Sequence, residues 1–95
     1  MELPSGHYYH FSLPKNRASI ARLGLQRNNY GEVNLTEHPE YAGSSYDLWL
    51  VDARGLKLET KDVEENQIVA RRAIRPTRLR FLRPGDGQHM SEVGN

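Results

Sequence analysis

Short apolar runs recur along the chain and are separated by clusters of Gly, Pro, Asn and Ser. The clearest run is Leu48-Trp-Leu-Val51, where consecutive apolar positions predict a strand buried on both faces. Residues 33–36 alternate apolar and polar side chains, which is typical of a strand with one exposed face. Residues 8–13 are rich in aromatic side chains and lie between Gly6 and Pro14, so they predict an opening strand. Further short strands are predicted at residues 56–58, 68–70 and 79–82.

Helical patterns are shorter and fewer. Residues 15–23 predict a helix, because Ile20 and Leu23 lie three positions apart and so share one face. Gly24 follows as a suitable C-terminal stop. A second, brief helix is predicted at residues 39–42, where a proline stands at the first helical position.

Together these elements predict an α+β fold, a small split β-sheet core with one or two short helices. We assign residues 1–83 to a single domain, since 95 residues are close to the usual size of one domain. Residues 84–95 have no hydrophobic period, and we expect them to form a flexible tail.

Composition narrows the protein class. Hydrophobic residues make up 37% and charged residues 26% of the chain, as in ordinary globular proteins. No cysteine is present, so neither disulfides nor thiolate chemistry are available. No apolar stretch approaches the roughly 18 residues of a membrane span, and the N-terminal residues lack the regions of a signal peptide. We therefore expect a soluble cytoplasmic protein with no membrane partner.

Charge is unevenly distributed, although the net charge is only +1. Residues 71–83 contain arginines but no acid, whereas residues 32–65 are rich in acids. A basic stripe of this kind is suited to nucleic acid or to an acidic protein partner. The alternative is the solvated face of one or two terminal strands that offsets the acidic half. The arginines of the stripe are Arg71, Arg72, Arg75, Arg78, Arg80 and Arg83.

Several short motifs follow in a fixed order. They are an opening Tyr-His-x-Ser strand, a Val-x-Leu-Thr strand with a Pro-x-x-Ala helix, and a Glu-Asn-Gln-Ile-Val segment leading into Ile-Arg-Pro. The strand Leu-Trp-Leu-Val-Asp-Ala-Arg-Gly-Leu lies between the last two. This set resembles the ADP-ribosyltransferase superfamily, which includes the RNA 2′-phosphotransferases. The resemblance covers residues 8 to about 82. It implies a domain that binds NAD between two sheets.

In the first motif, the resemblance implies that His10 hydrogen-bonds the ribose next to adenine and that Ser12 helps to hold the nicotinamide side. Imidazole offers a directional N–H for such a contact. The alternative for His10 is a partly buried strand residue without a ligand.

In the second motif, the family places an aromatic residue that stacks on nicotinamide, and this chain has Asn34 there. An amide lacks the large π-face of a tyrosine. Tyr41, on the helix after this strand, is our preferred substitute over Tyr30 and Tyr46. Packing of that helix on the sheet is an equal alternative for Tyr41.

In the third motif, the family uses a glutamate that stabilises positive charge on the sugar as the glycosidic bond breaks. The pairing of the motifs places Gln67 at this position. Glu65 lies two residues earlier, on the same strand face as Gln67, and is a second candidate for the catalytic role. An ordinary exposed acid is the alternative interpretation of Glu65.

The sequence contains no metal-binding pattern, since its histidines lack the spacing of ligand sets. The leading hypothesis, which the resemblance implies, is an NAD-dependent transferase that moves ADP-ribose to a macromolecule. One alternative is a catalytically inactive relative that uses the basic stripe to bind nucleic acid or an acidic protein. The other is activity on 2′-phosphorylated RNA.

Overall fold

Strands dominate the computed structural model, which describes residues 3–62, 64 and 67–87. Proline stands at the start of each 3-10 turn found among these residues: Pro14–Asn16, Pro39–Ala42 and Pro76–Arg78. The fold is α+β, as predicted. Its elements within the described residues are β1 (His7–Ser12), α1 (Arg17–Leu23), β2 (Val33–Leu35), β3 (Asp47–Asp52), β4 (Leu58–Asp62), β5 (Gln67–Ala70) and β6 (Leu79–Arg83).

The strands form two antiparallel sheets of three strands each, in the orders β1-β3-β6 and β2-β5-β4. A pair of backbone hydrogen bonds joins the sheets, because Tyr9 N donates to Thr36 O over 2.7 Å and Thr36 N donates to Tyr9 O over 2.9 Å. The central strand β3 contains the apolar run of residues 48–51. Leu50 is half-buried, and the other three residues of the run are buried. A central strand packs on both faces, which is why its apolar positions are consecutive.

The hydrophobic core lies between the two sheets and is closed by α1. Burying this apolar surface is the main favourable contribution to folding. Because both sheets supply the core, neither buries its inner face without the other. The buried members of the core are Ile20, Leu25, Val33, Leu35, Trp49, Val51, Ile68, Ala70 and Ile74.

The predicted helix over residues 15–23 is divided in two. Its first turn is a 3-10 turn in which Asn16 N donates to Leu13 O over 2.9 Å. The α-helical part starts at Arg17 and ends at Leu23, and the N–H of the following Gly24 donates to Ile20 O over 2.8 Å. Prolines and tightened first turns are common at helix starts, which explains the shorter α-helix.

A fully buried carboxylate, that of Asp47, connects three parts of the chain. Arg17 donates from Nε and Nη2 to the two carboxylate oxygens over 2.8 Å each, and the Gly85 N–H donates over 2.7 Å. Burial raises the pKa of Asp47, but the hydrogen bonds from Arg17 and Gly85 outweigh it, so this pKa lies below its usual value. Asp47 is therefore ionised at neutral pH and links α1, β3 and the segment after β6.

The first part of the predicted tail is attached to the domain. Asp86 N donates to Ser44 O over 3.0 Å and Gly87 N donates to Ser45 O over 3.1 Å, next to the Gly85 contact with Asp47. Residues 88–95, the rest of the predicted tail, lie outside the described residues. Within the described part of the chain, no helix has both the length and the apolar character of a membrane span.

Candidate functional site

A pocket of about 520 Å³ opens where the two sheets meet. Its walls come from residues 9–11 of β1, from residues 34–35 of β2 and from Thr36, which follows β2. Tyr41, Glu64 and Gln67 complete the lining. The Tyr9–Thr36 hydrogen bonds hold β1 and β2 together at this point. A concave site of this size, partly apolar and partly polar, is typical of small-molecule and cofactor pockets.

His10 contributes an imidazole ring to this lining. Its Nδ1 lies 2.7 Å from the Asn34 carbonyl oxygen. A carbonyl only accepts, so Nδ1 carries the proton and donates. Burial lowers the pKa of His10 below 6.5, and the hydrogen bond to Asn34 opposes this only in part. The ring is therefore neutral at neutral pH, and Nε2 is a hydrogen-bond acceptor. The N–H expected to contact a ribose is already used by Asn34.

Asn34 contributes two different groups to the site. Its backbone carbonyl orients His10, while its exposed side chain belongs to the pocket lining. Asn34 lies opposite Val69 in the β2–β5 pair, and this pairing determines where the amide stands. The amide can donate and accept hydrogen bonds but cannot replace an aromatic ring.

Of the three tyrosines considered from the sequence, Tyr41 lies in the lining. It belongs to the turn Pro39–Ala42, its side chain is 53% exposed, and its ring centroid lies 5.0 Å from that of His38. Tyr46 instead packs edge-on against Phe11 at 5.3 Å. Tyr30 is 79% exposed and outside the lining. Of these three tyrosines, Tyr41 is thus the one whose side chain borders the pocket.

Ser12 is buried and does not belong to the pocket lining. Its Oγ accepts a hydrogen bond of 3.2 Å from the indole Nε1 of Trp49. A buried indole N–H needs such an acceptor, so the hydroxyl satisfies the core. The structure therefore brings His10 into the pocket and leaves Ser12 in the interior.

At the β4–β5 end of the pocket the lining includes Gln67 and Glu64. Gln67 is the first residue of β5 and contributes an amide to the lining. Glu65, the other catalytic candidate, lies outside the described residues. Glu64 stands in the turn before β5 and contributes the carboxylate of the described lining.

Sequence reasoning missed Glu64, Thr36, Phe11, Leu35 and Tyr9 as lining residues. Each of them lies within three positions of a motif residue that was selected. Glu64 belongs to the acid-rich stretch before Gln67, and this was the available signal for it. Which neighbour of a motif residue faces a pocket depends on strand pairing, so the motif alone did not identify them.

The predicted basic stripe is divided by the fold. Arg71 donates to Glu59 over 2.7 Å, and its Nη1 lies 3.4 Å from a Glu32 carboxylate oxygen. Arg78 donates to the backbone carbonyls of Asp52 and Arg54 over 3.0 and 2.8 Å. The side chains of Arg71 and Arg78 are thus engaged in contacts within the domain. Arg83 likewise donates to the Gly43 carbonyl. Arg72, Arg75 and Arg80 are exposed and form no ion pair with another described residue.

Among the residues that the structure describes, no group of three His, Cys, Asp or Glu side chains is arranged to hold a metal ion. Compared with models of known protein families and with curated protein sequences, the chain has no match.

Proposed function

We propose that this chain binds NAD in the pocket between its two sheets and transfers ADP-ribose to a macromolecule. One observation carries the proposal. Residues from separate motifs, which the resemblance assigns to one dinucleotide, line a single pocket: His10, Asn34, Tyr41 and Gln67. We further propose that it acts in the cytoplasm, in line with the absence of cysteine.

His10 and Tyr41 hold the cofactor in this proposal. His10 presents the Nε2 lone pair, which accepts a hydrogen bond from a ribose hydroxyl. Tyr41 covers the nicotinamide ring with its exposed face, since aromatic rings stack at centroid distances of about 4.5–7 Å. Asn34 adds amide hydrogen bonds to the same ligand. The three residues sit on β1, the turn Pro39–Ala42 and β2, so the sheet junction positions the ligand.

The transfer step needs negative charge beside the nicotinamide ribose. As the bond from the ribose carbon to nicotinamide breaks, its electrons leave with the nicotinamide and the sugar becomes cation-like. A nucleophilic atom of the macromolecule then forms the new bond to this carbon and gives up its proton to water. Gln67 supplies a neutral dipole at this position, and Glu64 supplies a carboxylate in the same lining. A preorganised carboxylate stabilises such a charge much better than an amide does. Glu64 is accordingly the group that compensates for Gln67 in our proposal.

Calorimetry with NAD tests binding directly. We expect millimolar NAD to release heat and to raise the melting temperature, because a ligand that binds only the folded state stabilises it. Tyr41→Ala should weaken binding about tenfold, an energy of roughly 1.4 kcal/mol. Tyr30→Ala is the matched control, since this exposed tyrosine lies outside the lining. If millimolar NAD gives no heat and no thermal shift, the proposal is ruled out.

Substitution of Gln67 tests the chemical step. Gln67→Glu restores a carboxylate at almost unchanged size, so release of nicotinamide from NAD should rise by at least tenfold. Glu64→Gln should reduce the release seen in the unchanged protein. If Gln67→Glu binds NAD and gains no activity, the pocket is a binding site without this chemistry.

A further inference from the structure

The segment that follows α1 is joined to the segment that follows β5. Leu25 N donates to Ile74 O and Ile74 N donates to Leu25 O, each over 2.9 Å. Both side chains are buried, so the bridge is anchored in the core. Exposed arginines stand on either side of each bridge residue. We call this set the arginine cluster: Arg22 and Arg27 in the first segment, Arg72 and Arg75 in the second.

Close backbone contact brings the two segments together. A Cβ atom on Gly24 would lie 2.1 Å from Ile74 O and 3.1 Å from the carbonyl carbon of Arg75. Leu25 and Ile74 pair in antiparallel orientation. Residues 27 and 72 are therefore each two positions from the bridge, at the same end of it. The two segments that carry these four exposed arginines are therefore adjacent in backbone, although they lie up to about fifty positions apart in sequence.

Acids near the arginine cluster already have cationic partners. Glu32 is 4% exposed, lies 2.9 Å from Lys61 Nζ and 3.4 Å from Arg71 Nη1. Glu59 accepts a hydrogen bond of 2.7 Å from Arg71. Within the described part of the chain, no member of the arginine cluster has an ion pair. The guanidinium groups of the cluster are therefore available to an external anion.

The chemistry of the surface favours phosphate. A guanidinium presents several N–H donors in a planar fork that matches phosphate oxygens. Tyr30 lies three residues after Arg27 and is 79% exposed, with Lys61 Nζ at 5.6 Å from its ring centroid. An exposed aromatic beside a basic surface is a platform on which a base can stack. A nucleic acid uses both features, whereas an acidic peptide uses only the charge.

We propose that the arginine cluster binds the phosphate backbone of a nucleic acid. The arginine cluster is separate from the pocket. Gln67, at the start of β5, lines the pocket, whereas Arg72 follows Ala70, at the opposite end of this strand. The length of β5 from Gln67 to Ala70 is roughly 10 Å at the usual rise of a strand. The proposal therefore does not depend on NAD binding.

Fluorescence anisotropy with labelled 12-nucleotide single-stranded RNA and DNA, measured over a range of salt concentrations, tests the proposal. In Arg27→Gln/Arg72→Gln we expect affinity to fall at least tenfold. The slope of log affinity against log salt should decrease by about 1.4, since each phosphate contact on a single strand contributes about 0.7. Lys15→Gln/Arg80→Gln removes the same charge from exposed positions outside the cluster. This control should stay within threefold of the unchanged protein.

Two results would overturn the proposal. One is an equal loss of affinity in both double variants, because binding would then follow net charge alone. The other is tighter binding to polyglutamate than to either oligonucleotide, which would make an acidic protein the partner. Circular dichroism checks that the variants are folded. If Arg27→Gln/Arg72→Gln does not fold, Arg22→Gln/Arg75→Gln makes the same test within the cluster.

Discussion

At the scale of a residue, His10 illustrates how one hydrogen bond determines what a side chain offers to a ligand. The Asn34 carbonyl takes the Nδ1 proton, and burial keeps the ring neutral, so Nε2 is left as an acceptor. A histidine of this kind recognises hydroxyl groups rather than phosphates. It also makes the stability of the domain depend on pH.

The pH dependence of stability follows from the sign of this shift. Burial lowers the pKa of His10 in the folded state, whereas the unfolded chain takes up a proton near pH 6.5. The contribution of His10 is thus complete above pH 6.5 and is lost as the pH falls below it, by at most about 1.4 kcal/mol per pH unit. We expect the free energy of unfolding in urea to fall between pH 7 and pH 5. His10→Gln should lose less over the same range, and an equal loss in both proteins would contradict this assignment.

A second prediction concerns the buried carboxylate of Asp47. Asp47→Asn keeps the shape but removes the charge that accepts from Arg17 and Gly85. Hydrogen bonds to charged groups contribute about 1.5–3 kcal/mol, so we expect a loss of stability in that range, measured by urea unfolding. Asp52→Asn is the control, because Asp52 pairs with a largely exposed Arg54. Similar losses in both variants would argue against a special role for the buried site.

At the scale of an element, α1 depends on how its C-terminal end meets the segment after β5. Gly24 ends the helix with φ of 82°, a conformation that side chains disfavour, and its backbone contacts Ile74 O directly. The Leu25–Ile74 hydrogen bonds follow immediately. The position of the helix is therefore set by this contact as much as by its short apolar face.

Substitution of Gly24 should separate α1 from its neighbour. Gly24→Ala adds both a conformational penalty and a clash with backbone, for which we expect a loss of about 2–5 kcal/mol. Gly43→Ala is the matched control, since Gly43 has φ of 62° but no atom within 4 Å of the added carbon. The control should show only the conformational penalty, about 1–2 kcal/mol. Thermal unfolding of the two variants side by side measures the difference, which should favour Gly43→Ala.

At the scale of the whole molecule, the two sheets share one core and one pocket. Trp49 and Val51 belong to the first sheet, while Val33 and Ile68 belong to the second, and all four are buried in the same cluster. The Tyr9–Thr36 hydrogen bonds connect the sheets a second time. Because each sheet covers the inner face of the other, we expect them to unfold together.

Cooperative unfolding is testable with probes in each sheet. Trp49 is the single tryptophan and reports on the first sheet by fluorescence, while hydrogen exchange at the Val69 amide reports on the second. Val51→Ala should cost about 2 kcal/mol. The protection of Val69 should fall by the same amount, although Val69 lies in the other sheet. Unchanged exchange at Val69 would mean that the sheets unfold independently.

Much of the fold was predictable from local patterns. The run Leu48-Trp-Leu-Val51, the proline that opens residues 39–42 and the glycine at position 24 each mark an element that the structure contains. The site was predictable only in outline. His10, Tyr41 and Gln67 line the pocket, but Ser12 is used by Trp49 and Glu64 was missed. Whether a serine faces a ligand or an indole depends on its neighbours across the sheet, which a motif does not specify.

By itself, the sequence determined the α+β class and the approximate positions of the strands, since alternation, proline and glycine act over a few neighbouring residues. Only the tertiary structure decided which arginines pair internally and which form the arginine cluster. Only it decided that β1 and β2 meet at a pocket. Both outcomes depend on contacts between residues such as Leu25 and Ile74, far apart in sequence. Such contacts form because burial of a shared core brings distant segments together, and no local pattern encodes that pairing.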